Sequence, residues 1–310
     1  MMKRLLRPKM NEGWLSVAFA PDRMDFAHIR RRPGKKPEVL LMSSYERARD
    51  DVGALSRLRK VLKLDQYRCS SLLRVGEHQL LPVEAPDVPA GELKEAMRWR
   101  IKDMLSFPVE SATIDVLEIP ENPGARGRAR QVFAVAANRA VIAGRMALFD
   151  EAELPLEAID IPEMAQRNIS ALFEEEDCGL AMLSWDESGA MLTFTFKGEL
   201  HAARHIEVPL SQVQHGDETR RQQLFERISL EVQRSLDHFD GVHGHIRLSR
   251  LLVSPPPGVA GFAEYLRDSL TVPVVAMDLA EVLDFSSIPE LAHPARQARC
   301  LKVLGSALRQ

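Results

Sequence analysis

The chain has 310 residues, 45% apolar and 27% charged, an ordinary balance for a soluble globular protein and a length that suits two cores rather than one. A net charge of −3 with only 6% aromatic residues supplies neither the basic field nor the stacking platform of a nucleic-acid binder. The three cysteines, Cys69, Cys178 and Cys300, are odd in number and far apart, so neither a disulfide framework nor a cysteine metal site is expected, in keeping with a reducing cytoplasm.

The opening run MMKRLLRPKM is basic but lacks the apolar centre of a secretory signal, and no stretch approaches the ~20 apolar residues of a membrane span. Alternation and turn residues predict strands over 14–20, 24–30 and 38–43, parted by Pro21-Asp22 and Pro33-Gly34. A helix over 52–62 and a strand over 70–75 follow. An insertion, 86–136, then holds a helix (92–105), a strand (112–119), a polar break (121–128) that reads as an exposed hairpin loop, and a strand (131–136). After it come a helix over 139–152, a short strand over 157–161, and a helix opened by Pro162 that ends before the acidic run 174–177. Then the order repeats: strands over 180–185, 190–196 and 200–208, a long helix over 220–239, a strand over 246–253, the loop Pro255-Pro256-Pro257-Gly258, a helix over 259–270 and a strand over 272–277. Meander, helix, strand, stated twice, suggests two related α/β halves across a cleft, an order that other α/β arrangements share.

Phe225, Ile228, Val232, Leu236 and Phe239 recur at helical spacing and mark the core face of the long helix. On the insertion helix, Leu93, Met97, Ile101 and Met104 form the apolar stripe, and Trp99 projects from another side. That indole needs a second surface, either another subdomain, the favoured reading, or a partner. His238, Asp240, His243 and His245 cluster where a helix runs into glycines, without a standard metal-ligand spacing. His201 and His205 share one strand face and read as surface ladder positions. The basic hairpin Arg30 to Lys36 reads as a solvated tip, with anionic lipid headgroups as the alternative contact. No nucleophile elbow, Walker loop, zincin motif or dinucleotide fingerprint is present.

The stretches VPAGELKEAMRWR from Val88 and SFPVESATID from Ser106 carry Glu92, Glu95, Ala96, Trp99, Phe107, Pro108 and Asp115. They resemble the insertion-subdomain signature of the PilM family, actin-like cytoplasmic proteins of type IV pilus assembly. Segments beginning at Leu154, Glu231, Val259 and Val303 agree with the family in order, so the resemblance spans nearly the whole chain. Within the family the chain looks most like the MshI branch of the mannose-sensitive haemagglutinin (MSHA) pilus. The cytoplasmic part of the type II secretion L protein is also similar.

The resemblance implies an actin-like α/β fold of the FtsA/PilM type: two related halves around a cleft with a small subdomain inserted in the first. It divides the chain into 1–85 (first half), 86–152 (inserted subdomain), 153–177 (return and link) and 178–310 (second half). The family cleft implies ATP, held by glycine loops whose N–H groups reach phosphate and by acids that hold magnesium. The first loop here is Ser16-Val17-Ala18-Phe19-Ala20, the second falls on Ser184-Trp185-Asp186, and the third on Ser254 and the three prolines before Gly258. Acid and glycine are missing from the first, bulk replaces glycine in the second, and prolines without N–H groups fill the third. The expectation is therefore a non-enzymatic adaptor with no catalytic residue, metal or cofactor. The alternative is an ATP/Mg binder with rebuilt loops, using Gly258, Asp160 and Asp186. The implied partner is a PilN/MshJ-like bitopic inner-membrane protein. Its cytoplasmic N-terminal segment would lie in a groove between the first half and the inserted subdomain, with Trp99 as candidate contact. Nucleic acid is not expected, and membrane contact is expected to be indirect or through the basic hairpin, with the protein cytoplasmic and peripheral to the inner membrane. A type II secretion L-like platform is the other reading.

Overall fold

The computed structural model describes residues 11–47, 50–120 and 130–310; the opening decapeptide and the 121–128 break lie outside the described residues. The first meander is β1 (Trp14–Phe19), β2 (Arg23–Arg30) and β3 (Glu38–Glu46), antiparallel throughout. Helix α1 (Asp51–Leu62) is capped by Asp50, whose carboxylate accepts from the Gly53 N–H, and ends at Lys63 in the left-handed region. It carries the chain to β4 (Arg68–Leu72), which lies parallel to β1. Next come β5 (His78–Glu84), α2 (Leu93–Ile101), β6 (Ala112–Glu118) and β7 (Gln131–Asn138), with the three strands in the order β5-β7-β6. Helix α3 (Arg139–Glu151), capped by Asn138, and β8 (Leu156–Asp160), parallel to β4, complete the first sheet, β3-β2-β1-β4-β8.

Helix α4 (Pro162–Phe173) leads to the second meander, β9 (Gly179–Trp185), β10 (Ala190–Phe196) and β11 (Glu199–Ile206). A short helix α5 (Leu210–His215) precedes the long α6 (Glu218–His243), capped by Asp217. Then follow β12 (Leu248–Val253), α7 (Phe262–Ser269), β13 (Val274–Ala276) and the last helix, α8 (Pro294–Ala307). The second sheet, β11-β10-β9-β12-β13, repeats the strand order of the first.

Two segments fall differently from the expected division. β5 lies in the part assigned to the first half, yet it pairs with β7 in the small sheet. α3 lies in the part assigned to the insertion, yet its Phe149 packs with Leu15, Val17 and Leu55 in the core of the first half. α5 was not expected. The helix expected over 259–270 begins only at Phe262, because Gly261 ends the preceding loop at φ +80°.

α1 and α3 cover one face of the first sheet, and α6 and α7 cover the outer face of the second. Between the sheets lie α4 and α8. One apolar cluster joins Ala27, Ile29 and Met42 of the first sheet, Leu180 and Met182 of the second, Ile169 of α4 and Leu304 of α8. The two halves thus share a core. At its centre Gly305 lies on α4: a Cβ there would come within 2.0 Å of the Ala165 carbonyl oxygen, and the Gly305 carbonyl accepts from Asn168 Nδ2 at 2.9 Å. Cys69 and Cys300 are buried in these cores, and burial pushes both thiols up to about 12, which leaves them unreactive. We expect Gly305→Val to destabilise the fold by at least ~1–3 kcal/mol through overpacking, read as a lowered urea midpoint; an unchanged midpoint would show that the helices can part at no cost.

Candidate functional site

The carboxyl ends of β1, β4 and β9 open into a cavity of about 550 Å³ between the halves, reached also by the loop after β12 and by α8. This is where the strand topology of an open α/β sheet puts a ligand. The three candidate loops surround it, and each is committed to the fold.

In the first, Phe19 is buried edge-on against Phe149, with the Arg145 guanidinium 4.7 Å from its ring centre. The Ala20 N–H closes the β1–β2 turn on the Arg23 carbonyl. In the second, Trp185 is buried at the end of β9 against Phe262, 5.5 Å between ring centres. Asp186 Oδ1 accepts from the backbone N–H of Ser188 (2.7 Å) and of Gly189 (3.1 Å), so it holds the β9–β10 turn. In the third, Val259 N–H donates to the Pro256 carbonyl and Gly258 sits at φ +77°. Proline then glycine at the two central positions is type II turn chemistry. Gln214 Nε2 of α5 donates to the Pro257 carbonyl at 2.7 Å and ties the turn down. Ser254 is fully buried, and among the described residues its hydroxyl has no partner. Gly258 therefore serves a turn, and the prolines present no N–H to the cavity.

The floor of the cavity is Lys302, which the sequence reading missed. Its Nζ donates to Ser184 Oγ at 2.6 Å and to Gln166 Oε1. Gln166 Nε2 in turn donates to the Met182 carbonyl (2.7 Å) and Thr193 Oγ1 (2.8 Å). Burial pushes the Lys302 amine down to about 7, against the opposing pull of Asp186 and Glu163. The faint signal in the sequence was one lysine set among Leu301, Val303 and Leu304 on an apolar helix.

Other charges of these elements are paired within the fold. Arg23 donates to Asp25 at 3.0 Å and across to Glu187 at 3.3 Å. Arg309 reaches Asp160 at 3.2 Å. Burial raises the Asp160 carboxyl, with Arg309 opposing, and its Oδ1 accepts from the Ile161 N–H. His78 of β5 meets Glu163 of α4 at 2.9 Å. Burial alone would lower the His78 pKa, but the bond and charge of Glu163 outweigh it and raise it. Of the residues suggested for a rebuilt nucleotide site, Gly258, Asp160 and Asp186 are thus occupied separately and do not converge. These residues do not fit Mg-ATP: the proline turn lacks donors, an Asp186 oxygen is consumed by its own turn, and the Lys302 network fills the floor.

The groove candidate lies elsewhere. α2 packs on the small sheet through Leu93, Met97 and Ile101. Trp99 is 69% exposed, so no subdomain among the described residues covers it, which corrects the favoured expectation. Met104, expected in the buried stripe, is 46% exposed, because a 3-10 turn over Lys102–Met104 replaces the end of the helix and breaks its spacing. His201, expected at the surface, is buried beside His243 (5.4 Å between ring centres); among the described residues both its ring nitrogens lack partners. Burial, with His243 and His245 nearby, pushes it down to about 4. No group of three or more His, Cys, Asp or Glu among the described residues is placed to hold a metal.

Two matched five-stranded halves, a shared interhelical core and a small antiparallel sheet inserted in the first half define an actin-like ATPase fold. Solved structures bear this out. A chain of the PilM–PilN type IV pilus biogenesis complex superposes with TM-score 0.75 at 18% identity, covering 98% of each chain. The cytoplasmic domain of EpsL, an inner membrane component of the type II secretion system of Vibrio cholerae, matches at TM-score 0.54 and 13% identity over 96% of each chain. A Bacteroides thetaiotaomicron protein with an actin-like ATPase fold and unknown function matches at 0.54 and 9% identity over the full length of both. No protein-family model and no curated protein matches the sequence.

Lys302 makes a signed prediction. The unfolded chain keeps its proton up to the ordinary 10.5, whereas the folded amine releases it near 7. Unfolding in that window takes up a proton, so stability from this group rises with pH between those values. The melting temperature of the parent relative to Lys302→Met should therefore climb from pH 7 to pH 10; a constant difference would show that the buried amine does not titrate there.

Proposed function

We propose that the chain is a cytoplasmic adaptor of a type IV pilus assembly complex, of the MshI kind. It would grip the N-terminal segment of a PilN-like bitopic inner-membrane protein without hydrolysing ATP. The observation that carries the reading is the cleft: Lys302, Ser184 and Gln166 fill its floor, and the proline turn forms its wall. A cleft whose loops are held by bonds within the fold leaves the frame as a rigid support. The superposition on the PilM–PilN complex and the motifs from Val88 to Asp115 support a peptide partner for that support. Trp99, large, rigid and uncovered on α2, has the properties of an interface anchor. No helix among the described residues is long and apolar enough to cross a membrane, so in this reading the partner supplies the membrane span.

Thermal shift separates the alternatives. Mg-ATP alone should leave the melting temperature unchanged, and a synthetic peptide of the partner's cytoplasmic N-terminus should raise it; several degrees of stabilisation by Mg-ATP would reject the adaptor reading. In a titration with that peptide, Trp99→Ala should cost about 2 kcal/mol of affinity, near thirtyfold, while the fold stays intact. Unchanged affinity would move the peptide site off α2.

A further inference from the structure

We propose that the end of the first sheet opposite the cleft is a cationic face that docks directly on an anionic lipid surface. The reading goes beyond the peptide partner and does not rest on it. The cavity lies at the carboxyl ends of β1 and β4, among Ala18 to Arg23 and Leu72 to Val75. The other end is marked by Trp14, which pairs with Ile29 of β2 and Arg68 of β4. Three strands there span two strand spacings, roughly 10 Å.

Two basic stretches lie at this end. The β2–β3 hairpin carries Arg32, Lys35 and Lys36, all exposed. The last turns of α1, which lead directly into β4, carry Arg57, Lys60 and Lys63, also exposed. The Asn11 N–H donates to the Gln66 carbonyl, just before β4, and the Glu12 carbonyl lies 2.8 Å from His28 Nε2 of β2.

Local carboxylates do not cancel this charge. Glu38 is held by Arg30, Glu157 by Arg68 and Glu153 by Arg59, so those acids answer other arginines. Glu12, Asp65, Glu281 and Asp284 remain at this end. Among the described residues, Arg32, Lys35, Lys36, Arg57, Lys60 and Lys63 have no carboxylate within ion-pair distance. The chain as a whole carries −3, so the basicity is local and orients the molecule instead of merely attracting it. Two further features suit a bilayer. Val61, between Lys60 and Lys63, is 75% exposed, an apolar group at the level where headgroups meet acyl chains. A recess of about 640 Å³ beside the hairpin is walled by Arg32, Lys35 and Lys36 with Leu283 and Phe285; of its two carboxylates, Glu38 is held by Arg30 and Asp284 is outnumbered by the three cations. The hairpin is also held firm: Lys36 Nζ donates to the Ala280 carbonyl at 2.9 Å, and the Val39 N–H to the Asp284 carbonyl at 2.7 Å.

Co-sedimentation of the full chain, without any partner, tests the proposal. Mixed phosphatidylglycerol–phosphatidylcholine vesicles should bind it at low salt and release it at high salt, and pure phosphatidylcholine vesicles should not bind it. The variant Arg32→Glu, Lys35→Glu, Lys36→Glu should bind at least tenfold more weakly, and so should Arg57→Glu, Lys60→Glu on the other basic segment, with melting temperatures kept near the parent's. No binding to anionic vesicles at low salt, equal binding to both vesicle types, or binding unaffected by both variants would overturn it. Binding to polyglutamate without binding to vesicles would also overturn it and assign the face to an acidic protein. None of these outcomes bears on the partner peptide, which is absent from the assay.

Discussion

The close approach of α8 to α4, glycine against a carbonyl, is the constraint on which the rest of the structure depends. With no side chain at position 305, the two helices lie near enough to sit as one layer between the sheets. The shared apolar cluster then follows, because residues from both sheets reach the same pair of helices. The approach also fixes the depth of Lys302, one turn back on α8, whose stem has nowhere to go except the cavity floor. Helix packing and the chemistry of the cleft are therefore one problem: whatever moves α8 moves the amine.

That amine changes what the cleft is. The chain's own side chains tie the two halves together: Arg23 to Glu187, Ser70 to Ser306 and Arg309 to Asp160. The polar network is well satisfied at its centre, where Gln166 serves two carbonyls, a threonine and the lysine at once. A satisfied buried network favours one arrangement over its neighbours. In the proposed adaptor this serves to hold a surface still.

The alternation of apolar residues made both meanders and most helices legible, because each has one covered face and one open face. The strand β5 was missed for an identifiable reason: Pro82 lies within it, and proline argues against a strand unless the strand is at an edge, as β5 is. The even spacing of His201 and His205 implied one face, but the register shifts at His201, where Ala202 pairs with Phe194 and Leu200 with Thr195, so alternation does not place its ring. The end of α6 covers His201 alone, while Leu200 beside it packs with Ile119 and Phe133 of the inserted part. Such facts depend on how distant segments meet, and local pattern carries no information about that. That Pro255, Pro256 and Pro257 offer no backbone donor was legible in the sequence, since proline lacks an N–H wherever it stands. Lys302 and Gln166 were not, because each is a single polar residue in an amphipathic helix and becomes a pair only in three dimensions.

The proline turn has a consequence for the unfolded chain as well as for the cleft. Pro255, Pro256 and Pro257 have their φ angles set by covalent rings before folding begins. The loop therefore gives up little conformational freedom when β12 and α7 come together around it. Elsewhere a ligand would have to supply the order of such a loop, and its departure would return the loop to disorder. In this protein the three rings preset those φ angles, so part of the loop's order is already present in the unfolded chain.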